Sequence, residues 1–322
     1  MLVTGFMGSP RKKGNTSFLL QRFLSELENL GAVTRSVHVP DLTIRPCIGC
    51  GLCERKGFCH FDDDMRSTVL PLIRNSQVLV MASPIYFYTV PAEMKALIDR
   101  TQTLWSRKFK LGLIDPDEQS RKGFLLSVGA TRGNDLFDSI HLTMKYFFRG
   151  ISTDYAGSLT YWQIEEPGDM KKHPTVEEDI RSVAEDLMAG FLEKPSWLFL
   201  SHSDDLAGPM ARALCQTLGQ GRVQAHSAGF QPARETHPLL VPFMAEQGLD
   251  LDYRKPGSID SAVRTIRPEK VIVIGDLACP AAFPESDILH WDIPCPDDPS
   301  IQDMKAMETL IRNKLNTLFL QT

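Results

Sequence analysis

Four cysteines crowd into one short stretch, Cys47, Cys50, Cys53 and Cys59, with the spacing C-x2-C-x2-C-x5-C. Thiolates ligate soft metals. The short gaps, with small residues between, let the chain fold around a cubane so that each sulfur reaches one iron of a [4Fe–4S] cluster. Four thiolates also suit zinc, whose usual pattern is two separated C-x2-4-C knuckles. The third reading is a packed or redox-sensitive loop that holds no metal. Seven cysteines in all are an odd number for a disulfide framework, and their clustering in a reducing compartment reads as ligation.

A second stretch offers different chemistry. Gly8-Ser9-Pro10-Arg11-Lys12-Lys13-Gly14-Asn15-Thr16-Ser17 follows the apolar run Leu2 to Phe6 and opens a periodic helix from Phe18 to Leu30. Unpaired N–H groups and a partial positive charge gather where such a helix begins. Ser9, Arg11, Gly14, Asn15, Thr16 and Ser17 are therefore candidates to hold a phosphate. The competing reading is an ordinary N-cap, with Asn15 or Thr16 as the capping residue.

Two further loops point to a flat ligand. Gln77 to Ala82 is a near-continuous apolar run, the mark of a strand covered on both faces, and it delivers Ser83-Pro84-Ile85-Tyr86-Phe87-Tyr88-Thr89-Val90-Pro91. Gly123 to Val128 delivers Gly129-Ala130-Thr131-Arg132-Gly133-Asn134. Aromatics after one strand, and glycines that permit close backbone approach after the next, make Pro84, Ile85, Tyr86, Phe87, Gly129, Ala130, Thr131 and Gly133 candidates to contact a planar ring.

The elements that must position these loops follow a β-α alternation. Ala32 to Val39 and Tyr155 to Trp162 read as further strands, and helices are expected over Ala92–Leu104, Leu136–Phe148 and Thr175–Ala189. Asp62-Asp63-Asp64 is expected to cap a helix running from Met65 to about Asn75, since negative charge belongs at that end. The order predicts a five-stranded doubly wound parallel sheet of the flavodoxin type, 2-1-3-4-5, over residues 1–190.

In their order along the chain, GSPRKKGNT, PCIGCGLC with its following cysteine and DDDM, ASPIYFYTVPAEMKALIDR and SVGATRGND resemble the NADPH-dependent FMN reductases. More narrowly they resemble the iron–sulfur flavoprotein branch. That resemblance implies FMN, its phosphate in the Ser9–Ser17 loop and its ring against Pro84–Phe87 and Gly129–Gly133. It implies a [4Fe–4S] cluster on the four cysteines that exchanges electrons with FMN, and a homodimer or homotetramer with flavins near subunit interfaces. NAD(P)H or a ferredoxin-like protein would be the donor, and the acceptor is unknown. No G-x-G-x-x-G fingerprint is evident, so nicotinamide would stack transiently on the flavin. No side chain need act as acid or base.

The pattern restarts near Pro195-Ser196. Residues 196–322 read as a second, smaller α/β domain: strands at Trp197–Leu200, Val223–Ala228, Lys270–Gly275 and Trp291–Pro294, helices at Met210–Leu218, His237–Gln247 and Ser300–Phe319. His226-Ser227-Ala228-Gly229-Phe230, His237-Pro238-Leu239 and Trp291 followed by Asp298-Pro299 resemble the low-molecular-weight tyrosine phosphatases and the arsenate reductases of that fold. Members carry a C-x5-R loop. Here Ser201 stands at the nucleophile's position and Ala207 at the arginine's. A serine with no base beside it is a poor nucleophile, and Asp204 and Asp205 would repel an oxyanion. A Ser201-His202 dyad is disfavoured by adjacency. Cys279 falls near a redox position of the reductases, Cys215 reads as helix core and Cys295 as a strand-end residue. The domain is expected to be catalytically inactive and to serve docking, oligomerisation or sensing.

Composition sets the outer bounds. The chain has 322 residues, 43% hydrophobic and 23% charged, with a formal net charge of −5. That describes a globular protein and no electrostatic nucleic-acid binder. No apolar run reaches membrane-spanning length and no secretion signal is evident, so a cytoplasmic protein is expected. The leading reading is an FMN-dependent oxidoreductase. The alternative is a redox-sensing or electron-carrier protein whose pseudo-phosphatase domain is the output. A phosphatase or arsenate reductase comes last.

Overall fold

The computed structural model describes residues 1–278, 281–296 and 298–321. The chain divides into two compact units, the first formed by Met1–Gly112 with Ser120–Gly190, the second by Leu113–Gln119 with Phe191–Thr322.

In the first unit the elements run β1 (Leu2–Met7), α1 (Asn15–Asn29), β2 (Val33–His38), α2 (Leu52–Lys56), α3 (Leu70–Asn75), β3 (Val78–Pro84), α4 (Ala92–Arg100), α5 (Gln102–Phe109), β4 (Lys122–Val128), α6 (Asp138–Gly150), β5 (Asp154–Tyr161), α7 (Asp169–Lys172) and α8 (Val176–Leu192). The sheet order is β2-β1-β3-β4-β5, parallel throughout. This is the flavodoxin arrangement that the strand periodicity predicts. Its centre is dry because the central strands are apolar on both faces: Val78 to Ala82 and Leu125 to Leu126 are all buried. Edge strands β2 and β5 are only half-buried, as expected of strands with one paired side.

Three local expectations change. The helix expected over 92–104 is broken at Thr101, where α4 ends and α5 begins. The helix after the aspartate run starts as a π turn, Met65–Val69, and Asp64 makes no side-chain cap bond there. Its carboxylate instead accepts from the Thr43 amide at 2.7 Å. Helix α1 begins at Asn15 and its N-cap is Gly14, so neither Asn15 nor Thr16 is the cap.

The second unit holds β6 (Ser196–Ser201), α9 (Ala207–Gly219), β7 (Gln224–Gly229), α10 (Leu240–Glu246), α11 (Ile259–Thr265), β8 (Lys270–Ile274), β9 (Asp287–Trp291) and α12 (Ile301–Gln321). Its sheet order is β7-β6-β8-β9, again all parallel. Trp197 and Phe199 enter one core with Met210, Leu214 and Ile311, while Leu198 and Leu200 enter the other with Val271 and Val273. The last strand ends at Trp291 instead of beginning there. As an edge strand it leaves Ile288 41% exposed, which blurs the apolar run that a buried strand would show. Helix α11 has no counterpart in the sequence reading.

Residues 113–119 join this unit through charge. Asp117 pairs with Arg212 at 2.6 Å and with Arg254 at 2.8 Å, and Arg254 also holds Asp115 at 2.8 Å. Ile114 adds two backbone bonds, to Gly248 and Asp250. Among the described residues, no helix is long and apolar enough to cross a membrane.

Candidate functional site

The Ser9–Ser17 loop, expected to hold a phosphate, sits at the carboxyl end of β1 and runs into α1. Gly8 N–H donates to Ala82 O at 2.8 Å, tying the loop to the neighbouring central strand. Ser9 is buried; its hydroxyl accepts from the Arg11 amide at 3.2 Å and its carbonyl accepts from His38 Nε2 at 2.8 Å. Thr16 and Ser17 are buried and Arg11 is exposed. Gly14 has no side chain with which to cap, so the first-turn amides of α1 are left to face whatever the loop holds.

Asn15 does something that its position alone does not reveal. Its amide group donates to Glu166 O at 2.9 Å, and its oxygen accepts from Gly168 N at 3.0 Å and Met170 N at 3.3 Å. The loop is thereby fastened to the segment that follows β5.

The loops after β3 and β4, expected to contact a planar ring, come together at the neighbouring strand ends. Ile85 N donates to Val128 O at 3.0 Å, and Gly129 is locked by bonds to Tyr161 and Ile164 of 2.9 and 3.0 Å. Tyr86 and Thr89 close a two-residue turn by bonds of 2.8 and 3.1 Å. Phe87 and Tyr88, in that turn, have φ of 48° and 64°. Two aromatic residues in the left-handed region are strained, at a cost of about 1 kcal/mol or more each. All three aromatics are solvent-exposed. A Cβ on Gly133 would lie 3.3 Å from the Tyr88 hydroxyl, so the aromatic loop and the glycine loop face one another.

The four cysteines have free thiols, and all four line one cavity of about 340 Å³ with Arg100, His60 and Phe61. Gly49, Gly51 and Gly57 carry φ of 65°, 68° and 74°, which residues with a Cβ rarely adopt. These turns bring the thiols round the cavity. Ser106 Oγ donates to Cys53 Sγ at 3.6 Å. Among the described residues no three His, Cys, Asp or Glu side chains converge closely enough to hold a single metal ion.

Beneath the loop lies a pair that the sequence reading missed. Arg100, at the end of α4, grips Asp63 with bonds of 2.7 and 3.0 Å, the two side chains being 1% and 5% exposed. Burial pushes the Asp63 carboxyl up, but Arg100 and the Arg45 and Met65 amides outweigh it and hold it below its ordinary range. Burial likewise opposes the charge on Arg100, and Asp63 together with the Cys59 sulfur outweighs that and raises its affinity for the proton. Arg100 also donates to Arg45 O at 2.7 Å, while its Nε is buried without a hydrogen-bond partner. An acidic run ahead of a helix and an arginine at a helix end were the available signals, but the pairing spans the fold.

A four-thiol donor set around a cavity, with an orphaned N–H donor in its wall, fits an iron–sulfur cluster. Cys47, Cys50, Cys53 and Cys59 would hold it. The phosphate loop and the two ring loops fit FMN.

Residues 1–133 match the family model for NADPH-dependent FMN reductase. An iron–sulfur flavoprotein of Archaeoglobus fulgidus is 44% identical over 100 residues, 31% of this chain and 45% of that protein's length. One from Methanocaldococcus jannaschii is 31% identical over 147 residues, 46% of this chain and 72% of the relative. The chain belongs to the iron–sulfur flavoprotein family. Among solved structures, a Trp repressor binding protein from Bacillus subtilis is 20% identical with a TM-score of 0.39, covering 58% of this chain and 98% of its own. An arsenate reductase in the phosphate-binding state is 19% identical with a TM-score of 0.36, covering 39% and 98%.

In the second unit, the loop between β6 and α9 folds back on Ser201. Ser201 Oγ accepts from the Asp204 amide at 3.2 Å, and Asp204 Oδ2 accepts from Gly257 N at 2.7 Å. Asp204 is buried with φ of 51°, and Ala207 opens α9. Burial pushes the Asp204 carboxyl up to about 7, although Gly257, Ser227 and Arg212 oppose it. No imidazole or carboxylate bonds to the Ser201 hydroxyl among the described residues. Cys215 is buried helix core, and Cys295 is exposed beyond β9. Cys279 lies outside the described residues.

Proposed function

We propose that this protein is an FMN-dependent oxidoreductase that passes electrons between FMN and a [4Fe–4S] cluster held by Cys47, Cys50, Cys53 and Cys59. The observation that carries this reading is the common cavity of about 340 Å³ onto which all four thiols open, in the same unit as the three loops suited to FMN. The compact C-x2-C-x2-C-x5-C spacing, in place of two separated knuckles, favours the cluster over the zinc reading. FMN, when bound, supplies hydride and single-electron exchange, and the cluster supplies a one-electron store.

The chain's own contribution is binding and exclusion. The amides of the Ser9–Ser17 loop would hold the phosphate, with Asn15 bracing the loop from outside. Tyr86, Phe87 and Tyr88 on one side and Gly129–Gly133 on the other would hold the ring, with backbone N–H groups as donors to it. No acid or base is assigned. NAD(P)H or a ferredoxin-like protein is the donor in this reading. The apolar side chains Phe109, Leu142 and Tyr146, exposed along one groove, support assembly as a homodimer or homotetramer. With Ser201 unactivated and Ala207 in place of arginine, the second unit is read as a non-catalytic docking or sensing module.

The test is anaerobic reduction of the purified protein by NADPH, by NADH and by a reduced ferredoxin. Bleaching of the flavin band by at least one of them supports the reading. A protein that carries flavin yet is reduced by none of the three would contradict its oxidoreductase part.

A further inference from the structure

We propose that Arg100 sets the reduction potential of a cluster bound at the four cysteines, by donating a charged N–H···S hydrogen bond at the Cys59 position, and that Asp63 aims it. This rests on the cluster reading above and goes beyond it by assigning work to two residues that ligate nothing.

A guanidinium carries five N–H donors in a fixed fork. In this chain three of the five go to Asp63 and to the Arg45 carbonyl, and Nε is buried with no partner. An unsatisfied buried donor beside a charge is costly. Arg100 forms part of the wall of the cysteine cavity, and the Cys59 sulfur lies within its electrostatic reach. Sulfur bound to iron is electron-rich and accepts such bonds. The orphaned donor and the thiols therefore complete one another once the cluster is in place.

The consequence follows from charge. Reduction adds an electron to the cluster, so a buried cation bonded to its sulfur stabilises the reduced form more than the oxidised form and raises the potential. Asp63 works in the opposite sense. Its carboxylate offsets part of the Arg100 charge, while its two bonds fix the plane of the fork. A merely structural pair would not produce opposite electrical effects when each partner is removed.

The experiment uses the full chain, reconstituted anaerobically with iron and sulfide, and follows the cluster and flavin midpoints by redox titration. Arg100→Gln is expected to lower the cluster midpoint by about 59 mV, a tenfold change for one electron. Arg100→Lys, which keeps the charge without the fork, should lower it by less. Asp63→Asn should raise it, and the flavin midpoint should hold in all three. If Arg100→Gln fails to retain iron, the Lys and Asn variants decide. Wild-type midpoints in iron-replete Arg100 variants, or shifts of one sign for both partners, would overturn the proposal. Absence of iron and sulfide from the wild-type protein would remove the cluster reading itself, and is distinguished because it shows before any variant is made.

Discussion

Asn15 accepts a hydrogen bond from the Gly168 amide at 3.0 Å, across 153 residues of sequence. The first residue of α1 is thus held by the segment after β5, and the Ser9–Ser17 loop is braced at its back. A residue expected to cap a helix instead ties two loops of one rim together.

Asn15→Ala removes three bonds without touching the loop's own amides. At about 1 kcal/mol net per bond, with part recovered by water, FMN affinity should fall by roughly tenfold. Fluorescence titration of flavin into the apoprotein measures this. Unchanged affinity would place the loop's order elsewhere.

Phe87 and Tyr88 hold strained φ angles on exposed side chains. Glycine adopts that region freely. Phe87→Gly should therefore stabilise the fold by about 1 kcal/mol in denaturant titrations while weakening flavin binding. A variant that loses stability would show that the aromatic ring is held by packing and not presented to a ligand.

Asp204 gives a pH signature with a definite sign. Its carboxyl is raised from 3.8 to about 7 in the fold by burial, so the native state holds the proton more tightly than the unfolded chain. Stability from this group is fully present below the unfolded value and is lost as pH rises through about 7. Asp204→Asn escapes that loss. Its advantage over wild type should grow by up to roughly 1.4 kcal/mol per pH unit between those values and level off above. Urea titrations at several pH values give the difference directly; a flat difference would refute the assignment.

Arg212 closes the ion cluster that joins residues 113–119 to the second unit. Arg212→Ala removes one of the cations paired with Asp117. A loss of about 3–5 kcal/mol is expected for breaking a buried pair, seen as an early transition in thermal unfolding.

Much of this architecture can be read from local pattern. The Val78–Ala82 run announces a covered central strand, and the crowded cysteines announce one shared cavity, because each signal lies within a few residues. What local pattern hides is pairing at a distance. Asp63 accepts from the Met65 amide as a cap would, but its grip on Arg100 is invisible locally, and Asn15 looks like a cap until Gly168 meets it. Residues 113–119 sit in the first half of the chain yet belong to the second unit, since their partners Arg212 and Arg254 lie far downstream. The shift of β9 to Asp287–Trp291 follows from its edge position, where apolar and polar residues mix.

The central claim is that one chain carries both FMN and a [4Fe–4S] cluster. Anaerobic purification followed by flavin, iron and sulfide assays tests it most directly. The account predicts one flavin with roughly four iron and four sulfide per chain, and an oxidised-flavin spectrum over a broad absorbance near ~400 nm. Flavin without iron or sulfide would leave a plain flavin reductase with a bare cysteine loop, and a protein that takes up no flavin even when FMN is added would contradict the account at its root.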